Sequence, residues 1–251
     1  MISKKFTYYI SVIAMSFLFS LPLYASTLTI DPDYVGYSGI YVTLDNIPIG
    51  GSSGTGVGML RVEYNSYDVW GFCVDLGIEV GFGENDIDSE IDIAGNLNYA
   101  EWLVDNFAED LSSAANSGEN VSPESAALQL AIWEVLIEEG SAWWDYDYPS
   151  NDSIEYDNDG RFSYDRDQVS YANGYGYLND WYDYYLSKLY EAVTESSWST
   201  WKSEGEYIVL ELSQNSVDTQ DIIVNVVPEP TTVLLFGFGI LGLCAVGRKR
   251  D

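Results

Sequence analysis

Residues 122–140 constrain the fold more than any other stretch, because they read as one helix set between runs coded for strands on either side. The run is Ser-Pro-Glu-Ser-Ala-Ala-Leu-Gln-Leu-Ala-Ile-Trp-Glu-Val-Leu-Ile-Glu-Glu-Gly. Ser122 can cap the first free backbone N–H groups, Pro123 sits where its missing N–H costs nothing, and Glu124 favours the positive end of the helix dipole. Gly140 is placed to end the helix in a left-handed conformation. Glu124, Ala127, Ala131, Glu134 and Glu138 share one face, which is expected to be wet. Ala126, Gln129, Ile132, Trp133 and Leu136 form the opposite, apolar stripe. Gln129 therefore lies in the middle of an apolar surface. A buried amide without partners costs about 1–3 kcal/mol, so something must satisfy it or react with it.

Cys73, in Gly71-Phe72-Cys73-Val74-Asp75-Leu76, is the candidate partner. Cys244 is the second cysteine and lies in the terminal apolar run, so the part between the two ends has one thiol and no internal disulfide. A single cysteine in an exported protein fits an intermolecular pair, a reactive group or a buried small hydrophobe. A thiolate can attack a side-chain amide, expel ammonia and leave a γ-glutamyl thioester. Phe72-Cys73-Val74 followed by Gln129-Leu130-Ala131-Ile132-Trp133 resembles the paired motifs of bacterial surface thioester domains of the Thr-Gln-x-Ala type. Leu128 stands where that pattern has Thr. The resemblance implies an internal Cys73–Gln129 thioester that captures amines on a target surface.

Taken in order, residues 1–25 read as a secretory signal. Lys4 and Lys5 supply the positive start, Ile10 to Leu23 the apolar run, and Leu23-Tyr24-Ala25 a cleavage site. Thr27–Ile30, Ile40–Leu44, Gly58–Tyr64 and Val69–Val74 read as strands. Cys73 falls at a strand end facing inward, with Gly71 and Asp75 on its face. The acids Glu84, Asp86, Asp88, Glu90 and Asp92 alternate with apolar residues over 81–95, as in an edge strand with a wet face; a calcium site is the sharper reading of the same residues. Leu97 to Leu111 reads as a helix, with Asn96 as its cap and Tyr99, Leu103, Phe107 and Leu111 on one stripe; it is expected to pack on the Gln129 helix. Residues 141–177, rich in Tyr, Asp, Asn and Gly, read as a long surface insertion. Its Asp157-Asn158-Asp159-Gly160 loop resembles part of a calcium loop, and its Trp and Tyr side chains could stack on sugars. Residues 178–195 form a third helix, with Leu178, Trp181, Tyr185, Leu189 and Ala192 on one side. Residues 206–212 and 221–227 form a hairpin expected to rejoin the N-terminal sheet. The expected fold is α+β: an antiparallel β-sheet or sandwich domain over residues 26–227 with an inserted helical segment.

The chain contains no histidine, which removes Cys–His and Ser–His–Asp catalysis and histidine metal sites. No catalytic residue, metal or cofactor is assigned. The whole sequence has 10 basic and 40 acidic residues. Setting aside Lys4, Lys5, Arg248, Lys249, Arg250, Glu229 and Asp251 leaves 5 basic and 38 acidic residues, a net charge of −33. Nucleic acid is a poor partner for such a surface, and amines or basic proteins are better ones. Solubility in salty surroundings explains the same charge.

Residues 228–251 carry the strongest signal. Val227-Pro228-Glu229-Pro230 precedes an apolar run from Val233 to Val246, closed by Gly247-Arg248-Lys249-Arg250. The run is shorter than the roughly 20 residues of an ordinary spanning helix, and the basic cluster would stay in the cytoplasm. The segment resembles the PEP-CTERM sorting signal of Gram-negative bacteria. That resemblance implies a hydrophobic sorting helix held transiently in the inner membrane, exosortase as processing partner near Pro228-Glu229-Pro230, and release to the cell surface or an exopolysaccharide matrix. The expected protein is therefore an exported surface or matrix protein. It is either a covalent adhesin that takes an amine-bearing surface protein or a polyamine, or a non-covalent structural protein of a biofilm matrix. A covalent binder is used once, so no enzyme is expected. A carboxylate-based glycan-active enzyme is the third reading.

Overall fold

The computed structural model describes residues 27–44, 47–49, 55–64, 67–76, 78, 80–91, 96–138, 161–164, 177–195, 198 and 207–225. Nine strands are described: β1 (Thr27–Ile40), β2 (Val42–Leu44), β3 (Ile47–Ile49), β4 (Thr55–Tyr64), β5 (Tyr67–Cys73), β6 (Gly83–Ile91), β7 (Phe162–Tyr164), β8 (Tyr207–Gln214) and β9 (Val217–Asn225). The described helices are α1 (Leu97–Asn116), α2 (Ser122–Ile137) and α3 (Leu178–Thr194). The α+β expectation with antiparallel sheets and an inserted helical segment matches this order, since all three helices lie between β6 and β8. The sheet is a closed barrel, β1-β4-β5-β9-β8-β6, rather than a sandwich, and β3-β2-β7 form a separate three-stranded sheet.

Two local corrections explain the closure. Thr27–Ile30 does not stop at Pro32: β1 runs on to Ile40 through a register shift between Ile30 and Tyr34. A proline has no N–H for the ladder, and the shift carries it past that position. The extended β1 pairs with β4 along most of its length and with β6 through Thr27↔Asp86 to Ile30↔Gly83. The acidic 81–95 segment is therefore no edge strand, because β6 also pairs with β8. Its alternation survives, with Glu84, Asp86 and Asp88 exposed and Asn85 buried between the first two. The C-terminal hairpin rejoins the N-terminal strands as expected, β9 on β5 and β8 on β6. Its turn is tighter than the sequence pattern indicates: Asn215 and Ser216 take positive φ angles of 54° and 63°, the two-residue turn that suits strand twist.

α2 lies at the centre of the molecule. It packs on β1 and β4 and is covered by α1 and α3. This overturns the expected wet face. Ala127 and Ala131 are fully buried, and Glu138 is buried while Glu124 and Glu134 are half-buried. A helix enclosed on all sides needs small residues where backbones approach, and carboxylates there need partners. Glu138 accepts the Phe162 N–H at 2.8 Å at the start of β7, and Glu134 accepts the Tyr182 hydroxyl of α3 at 2.9 Å. The helix ends at Ile137, so Gly140 lies outside the described residues. Ser122 is its first residue rather than its cap, and Val121 holds the cap position. Asn96 does precede α1, but its side chain donates to the Glu138 carbonyl at 2.5 Å instead of capping. Phe162 and Tyr164, inside the expected surface insertion, are buried.

β1 and β4 approach closely at Gly36 and Gly58, which are register partners. A Cβ on Gly36 would lie 2.0 Å from the Val57 carbonyl oxygen, and one on Gly58 2.2 Å from that of Val35. Gly58 also takes φ +150°. Any side chain there would force the strands apart.

Candidate functional site

The site forms where β5 leaves the barrel ladder. The β4–β5 register runs from Tyr64↔Tyr67 to Leu60↔Gly71, and Cys73 lies two residues beyond it. On its other edge Cys73 is partnered by Ile222 of β9. In an extended strand the N–H and C=O of one residue point the same way, so past Gly71 the free edge of β5 presents the Cys73 pair. α2 fills that edge. Gln129 Oε1 accepts the Cys73 N–H at 2.9 Å, and Gln129 Nε2 donates to the Cys73 carbonyl at 2.7 Å. One side-chain amide makes the two bonds that a neighbouring antiparallel strand would make. Gln129 is 1 % exposed and Cys73 5 %. The expected residues are thus brought together, and the buried amide of the apolar stripe is satisfied.

Ser125, one helical turn earlier, repeats the device. Its hydroxyl donates to the Val35 carbonyl at 2.5 Å and accepts the Met59 N–H at 2.7 Å, bridging β1 and β4 beside the paired glycines. The sequence reading missed it, although a second polar residue four before Gln129 on a buried helix is the signal that could have shown it. Ser125→Ala leaves both backbone groups without that partner. It should lower stability by about 1–3 kcal/mol, read as a fall in the urea midpoint at unchanged m-value.

The electrostatics around the thiol are unfavourable to the thiolate. Burial pushes the Cys73 thiol well above its ordinary range, and the negative charge of Asp75 adds to this. Asp75 is itself tied to β9. Its Oδ2 accepts the Asp221 N–H at 3.1 Å, its carbonyl accepts from Gln220 Nε2, and Val74 N–H donates to the Asp221 carbonyl at 3.0 Å. Asp221 Oδ1 in turn accepts the Leu212 N–H at 3.1 Å. The Asp221 carboxyl is pushed up to about 7, first by burial, then by the charge of Asp75, with Glu211 contributing and the Leu212 bond opposing. Asp221 was not singled out from sequence, since its approach to Asp75 depends on the β5–β9 pairing.

Because the folded-state value for Asp221 lies above its unfolded value of 3.8, the folded protein holds a proton there that the unfolded chain has released. Stability from this group is present below about pH 4 and falls as pH rises to about 7. Asp221→Asn should remove that decline, measured as urea midpoints across the same window.

Among the described residues no group of three or more Cys, Asp or Glu side chains could hold a metal ion. The Asp157–Gly160 loop, the 1–25 leader, the 233–246 apolar run and the sorting residues Pro228, Glu229, Pro230, Arg248, Lys249 and Arg250 lie outside the described residues. No helix among the described residues is long and apolar enough to cross a membrane. No curated protein and no solved structure matches the chain. The profile of the PEP-CTERM protein-sorting motif does match, over residues 226–250. The motif implies export through the membrane with a C-terminal anchor and processing by exosortase. The chain thus carries, at residues 226–250, the PEP-CTERM protein-sorting motif of an exosortase-sorted extracellular protein.

Proposed function

We propose that this protein is a covalent surface adhesin, sorted through its 226–250 segment and armed with a Cys73–Gln129 thioester. The observation that carries the reading is the reciprocal pair of hydrogen bonds holding the Gln129 amide against Cys73. The one thiol among the described residues and the one amide of the apolar stripe meet, 56 residues apart in sequence, in a site nearly closed to water. In the first step the Cys73 sulfur attacks the Gln129 amide carbon, the C–N bond breaks, and the thiol proton leaves with the departing nitrogen as ammonia. In the second, a primary amine on the target attacks the same carbon, the C–S bond breaks, and Cys73 recovers a proton from the amine. An amide to the partner remains. The large negative charge favours amine-bearing surface proteins or polyamines as partners. Incubation of the full chain with a fluorescent primary amine should give a label that survives denaturation and maps to the Gln129 peptide. A label spread over other residues, or none, would sink the reading.

A second reading, a non-covalent structural protein of an exopolysaccharide matrix, has its own support. Both polar atoms of the Gln129 side chain are already satisfied by the Cys73 backbone, and burial holds the thiol neutral. In that case the amide serves as a docking clamp for α2, and the full chain stays unlabelled with an intact thiol.

A further inference from the structure

Where α1 meets α3, a run of aromatic rings reaches from the core to the surface. Phe107 of α1 meets Tyr185 of α3 at a centroid distance of 4.7 Å and Tyr184 at 5.9 Å. Trp102 stands edge-on to Phe107 at 5.8 Å, and Trp181 packs on Tyr184 at 5.4 Å and on Tyr185 at 5.8 Å. Tyr185 is buried, Trp102, Phe107 and Trp181 are half-buried, and Tyr184 is 40 % exposed. Tyr177, one helical turn before Trp181, is also exposed. Contiguous rings left open to solvent mark a contact surface, and Trp and Tyr are the residues that anchor such contacts.

The charge around the rings selects the occupant. Asp180 lies one turn before Tyr184 on α3, Asp110 lies one turn after Phe107 on α1, and both are exposed. The face of an aromatic ring is itself the negative side of its quadrupole. Lys188, the single basic residue in the sequences of the two helices, already uses this chemistry. Its Nζ stands 5.9 Å from the Tyr184 centroid and pairs with Glu191 Oε2 at 2.6 Å. The net charge of −30 draws cations toward the whole surface, and the rings give them a place to stop. A purely apolar partner would strip water from the two aspartates and return nothing.

We infer that the aromatic face of α1 and α3 binds a basic, arginine- or lysine-bearing segment of a partner protein, without a covalent bond and independently of Cys73 and Gln129. A cationic side chain of the segment lies on the rings of Trp181 and Tyr184, where a guanidinium stacks best. Asp180 and Asp110 pair with the neighbouring cations of the same segment. Lys188 competes for the Tyr184 ring, so it limits the affinity of the face.

The test titrates the full chain into a short fluorescent peptide of alternating Arg and Gly, followed by anisotropy at about 0.15 M salt. The peptide has a blocked N-terminus, so it holds no primary amine and cannot be captured covalently. Trp181→Leu and Tyr184→Leu keep an apolar side chain but remove a ring, and each should weaken binding about threefold to fivefold. Lys188→Gln frees the Tyr184 ring and removes a like charge, and should tighten binding about twofold. Cys73→Ala should bind as wild type does. Cooperative urea unfolding checks each variant, and where Trp181→Leu is not folded, Tyr184→Leu and Lys188→Gln decide. Unchanged affinity in the folded ring variants would mean that the peptide is held by charge alone, and would overturn the inference. So would weaker binding by Lys188→Gln, or no binding by the wild type. Tryptophan quenching by dextran, with no response to the peptide, would make the occupant a neutral sugar and overturn it equally.

Discussion

Cys73→Ala should abolish capture of primary amines and leave the protein folded. Gln129 bonds the backbone of Cys73 and not its side chain, so both hydrogen bonds survive the substitution. What is lost is one buried sulfur, an expected cost of about 1–2 kcal/mol from the small cavity left behind. Loss of chemistry with retention of fold separates a reactive cysteine from a packing one. The check is methylamine incorporation by mass, alongside urea unfolding of the same variant. Incorporation at Gln129 that persists without the thiol would rule out the thioester route.

Gln129→Leu should be the most damaging single change at the site. Leucine keeps the buried volume but leaves the Cys73 N–H and C=O facing it with no partner, in a position 5 % exposed. At about 1–3 kcal/mol for each unsatisfied group the loss is about 2–6 kcal/mol. That is a large share of the roughly 5–15 kcal/mol by which domains are stable. It should exceed the loss from Ser125→Ala, because the Val35 carbonyl there is only half-buried and can turn to water, whereas both Cys73 groups are buried. A Gln129→Leu variant as stable as wild type would mean that the amide does not hold α2 to the barrel.

The sequence pattern carried much of this arrangement. Gln129 was legible as an anomaly, a full amide in a helical apolar stripe, and Cys73 as the one thiol able to meet it. Cys73 at a strand end, the hairpin of β8 and β9 returning to the first strands, and the helices between them all follow from local periodicity. The encirclement of α2 was not legible. Its glutamates read as a solvent face, and only tertiary partners such as the Phe162 N–H and the Tyr182 hydroxyl show why they tolerate enclosure. Barrel closure was hidden because Pro32 and Gly36 interrupt the alternation of β1 that would have shown one long strand. Asp221 became visible only when β9 placed it beside Asp75, a contact between residues 146 apart. Local rules therefore located Cys73 and Gln129, while their surroundings at Asp75 and Asp221 were set by strand register.

The account's central claim is the bond between Cys73 and Gln129, and intact mass tests it most directly. The full chain, its termini fixed by peptide mapping, is weighed with and without methylamine. A mass one ammonia below that of the sequence, with methylamine then adding at Gln129, is the predicted result. The full sequence mass, with a Cys73 that alkylates once the protein is unfolded and no methylamine adduct, would contradict it.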